Sequence, residues 1–105
     1  IRPAVEETVL RGLGEAARHN GDTLLGLLTD AQLQDAQRHR RWASALARMA
    51  LEQPGNREVL AGWVAKWEPL ADAAITAYCA ALPDMANGAQ RAQAATREFR
   101  QGLGL

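Results

Sequence analysis

The chain is short of the residues that thicken a folding core. It has one phenylalanine and one tyrosine, and much of its apolar content is alanine, which removes little area from water per residue. β-Branched residues are scarce as well. Alanine, leucine, arginine, glutamine and glutamate dominate instead; these are the strongest helix formers, and they point to an all-α class. A single cysteine, Cys79, excludes an internal disulfide framework and fits a reducing cytoplasm. No apolar run approaches ~20 residues, which excludes a transmembrane helix, and no signal peptide opens the chain. Neither sign of charge is in surplus. Twelve basic residues balance twelve acidic ones, so nothing global favours nucleic acid or an anionic membrane as a partner.

The 105 residues leave room for one domain at most. The chain opens Ile1-Arg2-Pro3 without an initiator methionine, and we expect residues 1–105 to be a single helical region from a longer polypeptide. Glycine, proline and asparagine signals divide it into four helical stretches. The first runs from about Pro3 to His19, with Val5, Val9, Leu10 and Leu13 on its apolar side. Gly12 and Gly14 weaken it, and Asn20-Gly21 ends it through a left-handed cap. Asp22 is a good N-cap for a second helix reaching about Gln53. At ~1.5 Å per residue that helix exceeds ~40 Å. Leucines crowd its start, Trp42 to Leu51 carry apolar residues at its end, and the stretch from Gln32 to Arg41 between them is polar on nearly every face.

Pro54-Gly55 breaks the chain, and Asn56 is expected to cap a third helix running to about Leu82. Its apolar residues keep the 3.6-residue period from Val59 to Tyr78. Pro69 is expected to kink it or split it after Trp67. Pro83-Asp84 ends it, Met85 to Ala89 form a loop, and a fourth helix spans about Ala89 to Gln101. Gly102 to Leu105 read as a tail.

The groups that could carry chemistry lack the required spacing. A di-iron helical bundle presents Glu-x-x-His pairs, with carboxylate and imidazole three residues apart on its inner face. Here Glu15 precedes His19, and Asp35 precedes His39, by four, the spacing of surface hydrogen bonds and weak ion pairs. Cys79 has no basic neighbour in sequence to lower its pKa, Ser44 lies in mid-helix, and Gly12-Leu13-Gly14 lacks the strand and third glycine of a phosphate loop. We therefore expect no catalytic, metal-binding or cofactor-binding residue in this chain. Arg38-His39-Arg40-Arg41 is basic, but consecutive residues on a helix spread by ~100° each and make no single phosphate-binding patch. Trp63 and Trp67 share a helix face, and three tryptophans are many for so thin a core. Helix packing and contact with another chain both account for them, since Trp and Arg are enriched at interfaces.

Several blocks, taken in order, carry a family likeness. They are Asp35-Ala36-Gln37-Arg38-His39-Arg40-Arg41-Trp42, then Ala50-Leu51-Glu52-Gln53-Pro54-Gly55-Asn56-Arg57, then Trp63-Val64-Ala65-Lys66-Trp67-Glu68-Pro69, then Tyr78 to Pro83 and the Gly-Leu-Gly-Leu end. From about Asn20 onward the chain resembles the C-terminal part of the β subunit of bacterial multicomponent monooxygenases, phenol and toluene hydroxylases in particular. The resemblance implies a ferritin-like helical subunit that serves as scaffold, with no iron ligands of its own. It implies a di-iron centre in a partner α subunit, a γ subunit completing an αβγ protomer that dimerises, and an effector protein. An NADH-dependent reductase with flavin and iron–sulfur centres would supply electrons, and one oxygen atom of O2 would enter an aromatic ring. On that basis Arg38, Arg41, Trp42, Trp63 and Trp67 are the interface candidates, the first three at an interchain contact and the two tryptophans of the third helix in helix packing. The other reading of the residues is a free-standing helical interaction module without enzymatic activity.

The two readings differ in cooperativity. The isolated 105-residue chain is expected to be partly helical and to melt broadly. Thermal melts followed by far-UV circular dichroism check this, and a sharp transition would favour the free-standing module.

Overall fold

The computed structural model describes residues 2–82, 85 and 87–105, and the fold is all-α. A short helix α1 (Arg2–Val5), a π-helical segment (Glu6–Gly12) and α2 (Leu13–His19) follow one another without a break and form one rod. Then come α3 (Thr23–Leu51), α4 (Asn56–Ala80) and α5 (Gly88–Gly102). No strand occurs among the described residues, and none of their helices is long and apolar enough to cross a membrane. This is the long-helix architecture expected of a ferritin-like subunit.

Local chemistry sets most of the helix ends. Gly21, at φ 78, closes α2: its N–H donates to the Arg18 carbonyl (3.1 Å) and that of Asp22 to the Ala17 carbonyl (2.8 Å). These two bonds satisfy carbonyls the helix leaves open, and the left-handed backbone they require suits glycine. Asp22 then caps α3, its carboxylate accepting from the Leu25 N–H at 3.0 Å. The same C-terminal pair of bonds recurs after α5, where Gly104 and Leu105 donate to Gln101 (2.9 Å) and Arg100 (3.1 Å). The expected tail is therefore a structured end, and Arg57 of α4 donates to the Gly104 carbonyl.

Three expectations need correction. Asn56 does not cap α4; its side-chain amide donates to the Ala50 carbonyl at 2.9 Å and closes the end of α3 instead. Pro69 does not split α4, which runs unbroken from Asn56 to Ala80. Its ring is on the exposed side, and the helix forgoes the backbone hydrogen bond its nitrogen cannot donate. The expected loop Met85–Ala89 is shorter, since Gly88 and Ala89 already belong to α5, and Met85 is buried. Pro83 and Asp84, expected to end the third helix, lie outside the described residues.

The rod is the centre of the fold. Its π-helical segment and α2 rest on α3, while α1 and the π-helical segment rest on α5; α4 lies against α5, and α3 and α4 meet only slightly. The face the rod buries differs from the expected one. Ala4, Glu6, Thr8, Gly12, Gly14 and Ala17 are buried, while Val5 is exposed and Val9, Leu10 and Leu13 only half-buried. Two causes combine. The i→i+5 bonding of a π-helix shifts successive side chains around the axis, and the rod is so closely flanked that small residues are required. A Cβ on Gly14 would stand 2.5 Å from the Thr29 hydroxyl oxygen, and one on Gly12 2.5 Å from the Met85 terminal methyl.

A small core gathers Ala4, Ile75, Cys79, Met85 and Ala92, with Tyr78, Leu82 and Ala89 against it. It is thin, and no large side chain among the described residues is fully buried. The molecule measures 52 × 26 × 14 Å with a radius of gyration of 15.3 Å, against about 13 Å for a compact chain of this length. Its accessible surface of 6929 Å² exceeds the roughly 5,800 Å² expected of a compact monomer of this mass.

One buried ion pair ties the rod to α3. Glu6, its side chain 3 % exposed, accepts from Arg40 at 3.0 Å. The Arg40 guanidinium also lies over the Phe99 ring of α5, 4.9 Å from its centroid, so three elements meet at one side chain. Arg40→Met leaves an uncompensated buried carboxylate. We expect it to destabilise by ~2–3 kcal/mol, below the range for a fully buried pair because part of Arg40 reaches solvent. Adding Glu6→Leu should recover most of the loss, as read from urea midpoints.

Candidate interaction surface

The largest apolar side chains of the long helices face outward. On α3, Leu24, Leu27 and Leu28 form one exposed group and Trp42, Leu46 and Met49 another. On α4, Val59, Trp63, Trp67 and Leu70 form a stripe at i, i+4, i+8 and i+11, one side of a helix. The side of α3 turned to the rod carries Gly26, Thr29, Ala36 and Arg40 instead. Contiguous exposed apolar stripes of this kind mark contact surfaces.

Because α3 and α4 diverge, an open cleft remains between them. Its apolar part has a volume of about 500 Å³ and is walled by Leu60, Trp63, Val64 and Trp67 of α4, Ala43 of α3, Phe99 of α5, and Leu103 just beyond it. Glu68 and Arg100 also border it. Their Oε1 and Nε atoms are 3.2 Å apart, close enough for an ion pair but not aligned for a hydrogen bond.

The interface candidates fall into four environments. Trp63 and Trp67, 59 % and 48 % exposed, stand on the cleft wall with Thr96 and Phe99 of α5. Trp42, 60 % exposed, is not part of that wall, and its ring meets the His39 ring edge-on, at 6.5 Å between centroids. Arg38 is paired with Asp35 at 3.3 Å, both side chains in solvent, an arrangement worth little. Arg41 is exposed and makes no ion pair among the described residues. Arg40, not singled out by the sequence, is the arginine of the basic run that turns inward.

The groups screened for chemistry are dispersed. Glu15 pairs with Arg91 at 3.5 Å, His19 is exposed at the end of α2, and the Ser44 hydroxyl donates to the Arg40 carbonyl at 2.7 Å. No three His, Cys, Asp or Glu side chains gather as metal ligands among the described residues. A di-iron centre, which needs several carboxylates and imidazoles converging from facing helices, does not fit these positions. Cys79 is buried against Met85 and Gly88. Burial pushes its thiol up, and the Arg91 charge opposes this with a smaller effect.

Comparison with known proteins gives two matches. The profile of the family described as methane/phenol/alkene hydroxylase matches residues 1–54, which extends the likeness back through the rod, ahead of Asn20. The β subunit of the hydroxylase component of the toluene-4-monooxygenase system from Ectopseudomonas mendocina is 49 % identical over 82 residues. That alignment covers 78 % of this chain and 25 % of the relative, so the chain spans about a quarter of that relative's length.

A raised pKa keeps Cys79 as the unreactive thiol at neutral pH. Iodoacetamide should label it slowly in the folded chain, with the rate climbing only above the ordinary thiol range, and at the rate of a free cysteine in denaturant. Rapid labelling of the native chain would contradict the buried placement.

Proposed function

Because the chain belongs to the methane/phenol/alkene hydroxylase family, we propose that it is part of the non-catalytic β subunit of a multicomponent aromatic monooxygenase and acts there as scaffold. The observation that carries this reading is the open cleft with Trp63 and Trp67 on its wall. Buried aromatic anchors supply much of the energy of a protein interface, and these two are left uncovered by the chain's own helices. The thin core and the surplus surface agree with a polypeptide that completes its burial against other subunits.

In this reading the partner α subunit holds the di-iron centre at which one oxygen atom of O2 is inserted into phenol, toluene or a similar small aromatic. A γ subunit completes the protomer, and two αβγ protomers associate in the cytoplasm. An NADH-dependent reductase with flavin and iron–sulfur centres delivers electrons, and an effector protein gates turnover. The residues of this chain contribute position only: the long helices hold Arg38, Arg41, Trp42, Trp63 and Trp67 out for contact with the neighbouring subunits.

Affinity purification from cells producing the whole system should recover this chain with a larger, iron-containing partner in fixed stoichiometry. Replacing both Trp63→Ala and Trp67→Ala should remove most of that partner, each truncation costing ~2 kcal/mol or more of binding if it acts as an interface anchor. Aromatic hydroxylation should fall in parallel while helix content holds. Recovery of the chain alone, monodisperse and free of iron-containing protein, would overturn the reading.

A further inference from the structure

The cleft has a second wall of different chemistry. Gln37, Arg40, Arg41, Ser44 and Arg48 of α3, with Phe99 of α5, line an open hollow of about 530 Å³. Positions 37, 41, 44 and 48 follow i, i+4, i+7 and i+11, so they form one side of α3. This hollow and the apolar one share Arg40 and Phe99, whose stacked contact partitions a single cleft. One wall is therefore cationic and the other is built of tryptophan, leucine and valine.

The charges on the cationic wall are unequal. Arg40 is neutralised by Glu6, whereas Arg41 and Arg48 make no ion pair among the described residues. Covering the apolar wall would also desolvate these two guanidinium groups, which is unfavourable unless carboxylates arrive with the cover. Arg41 and Arg48 are two turns apart on α3, about 10.5 Å along its axis, and Leu60 to Trp67 covers the same distance on α4. We propose that this cleft takes up an amphipathic helix of a partner subunit, with an apolar stripe facing α4 and two acidic residues seven positions apart facing Arg41 and Arg48.

The alternatives fit less well. Nucleic acid is held by rows of free cations tracking its phosphates, and here two lie beside a wall of large apolar side chains. The rest of the same polypeptide is the other candidate, since the chain spans about a quarter of its relative; the two unpaired arginines favour a partner subunit, because unpaired arginine is rare in a folding core whereas tryptophan and arginine together are enriched at interfaces.

The proposal rests on the reading of this chain as one subunit of an assembly, and the test separates the two. A photo-crosslinking phenylalanine analogue replaces Trp63 in the intact assembly, and mass spectrometry identifies the attached peptide. The expected product is a helical segment of a partner subunit with apolar residues at i, i+3 or i+4 and i+7, and two acids seven apart. Arg41→Glu with Arg48→Glu should lower retention of that subunit by about tenfold or more, and lysine in place of the two acids should restore it. Raising salt should weaken the wild-type contact more than that of the Arg41→Gln, Arg48→Gln variant. A crosslink to another part of the same polypeptide, to a segment without the acid pair, to a second copy of this chain, to lipid or to nucleic acid overturns the proposal, as does failure of the charge exchange with the partner still present. Absence of any partner in the purified material overturns the β-subunit reading and this proposal together.

Discussion

The Glu6 carboxylate enters the interior of this fold with Arg40 as the cation beside it, and much of the arrangement follows from that pairing. The rod that carries Glu6 is narrow because its buried positions hold alanine, glycine and threonine. Narrowness lets α3 approach until Gly14 faces Thr29, and that approach brings Arg40 to the carboxylate. Arg40 then extends over Phe99 and fixes α5 on the other flank. With α3 and α5 both held to the rod, α4 rests on α5 and meets α3 only slightly. The cleft is the space that this order of contacts leaves open.

A second consequence is a reversal of the usual sidedness of a surface helix. Hydrophobic periodicity normally identifies the face turned to the core. On α3 the periodic leucines, Trp42, Leu46 and Met49 are exposed, and the inward side is small or polar. The small side lets helices come close within this chain. The large side is available for burial elsewhere, at roughly 25 cal/mol for each Å² of apolar surface covered.

That reversal marks how far the sequence could be read. Short-range signals were legible: Asp22 as a cap, Gly21 as a left-handed stop and the break at Pro54-Gly55 each act through neighbours a few residues away. The shared face of Trp63 and Trp67 was legible from their spacing. The family likeness was legible from block order, although it reaches further toward the N-terminus than the blocks alone indicate. The π-helical segment was not legible, because no residue type marks it and its buried face is set by packing against α3 and α5. Nor was the cleft, whose floor needs Phe99 and Leu103 brought across from a segment remote in sequence. The spread of Arg38 to Arg41 around the helix was evident, but which arginine turns inward depends on where the rod lies, and only the tertiary fold decides that.

The outward-facing tryptophans and leucines have a bearing on the life of the chain for as long as they stay uncovered. Such stripes are what holdase chaperones and proteases recognise on incompletely assembled polypeptides. In a cell the amount that persists would then follow the supply of whatever covers these stripes, since any excess displays the same surface continuously.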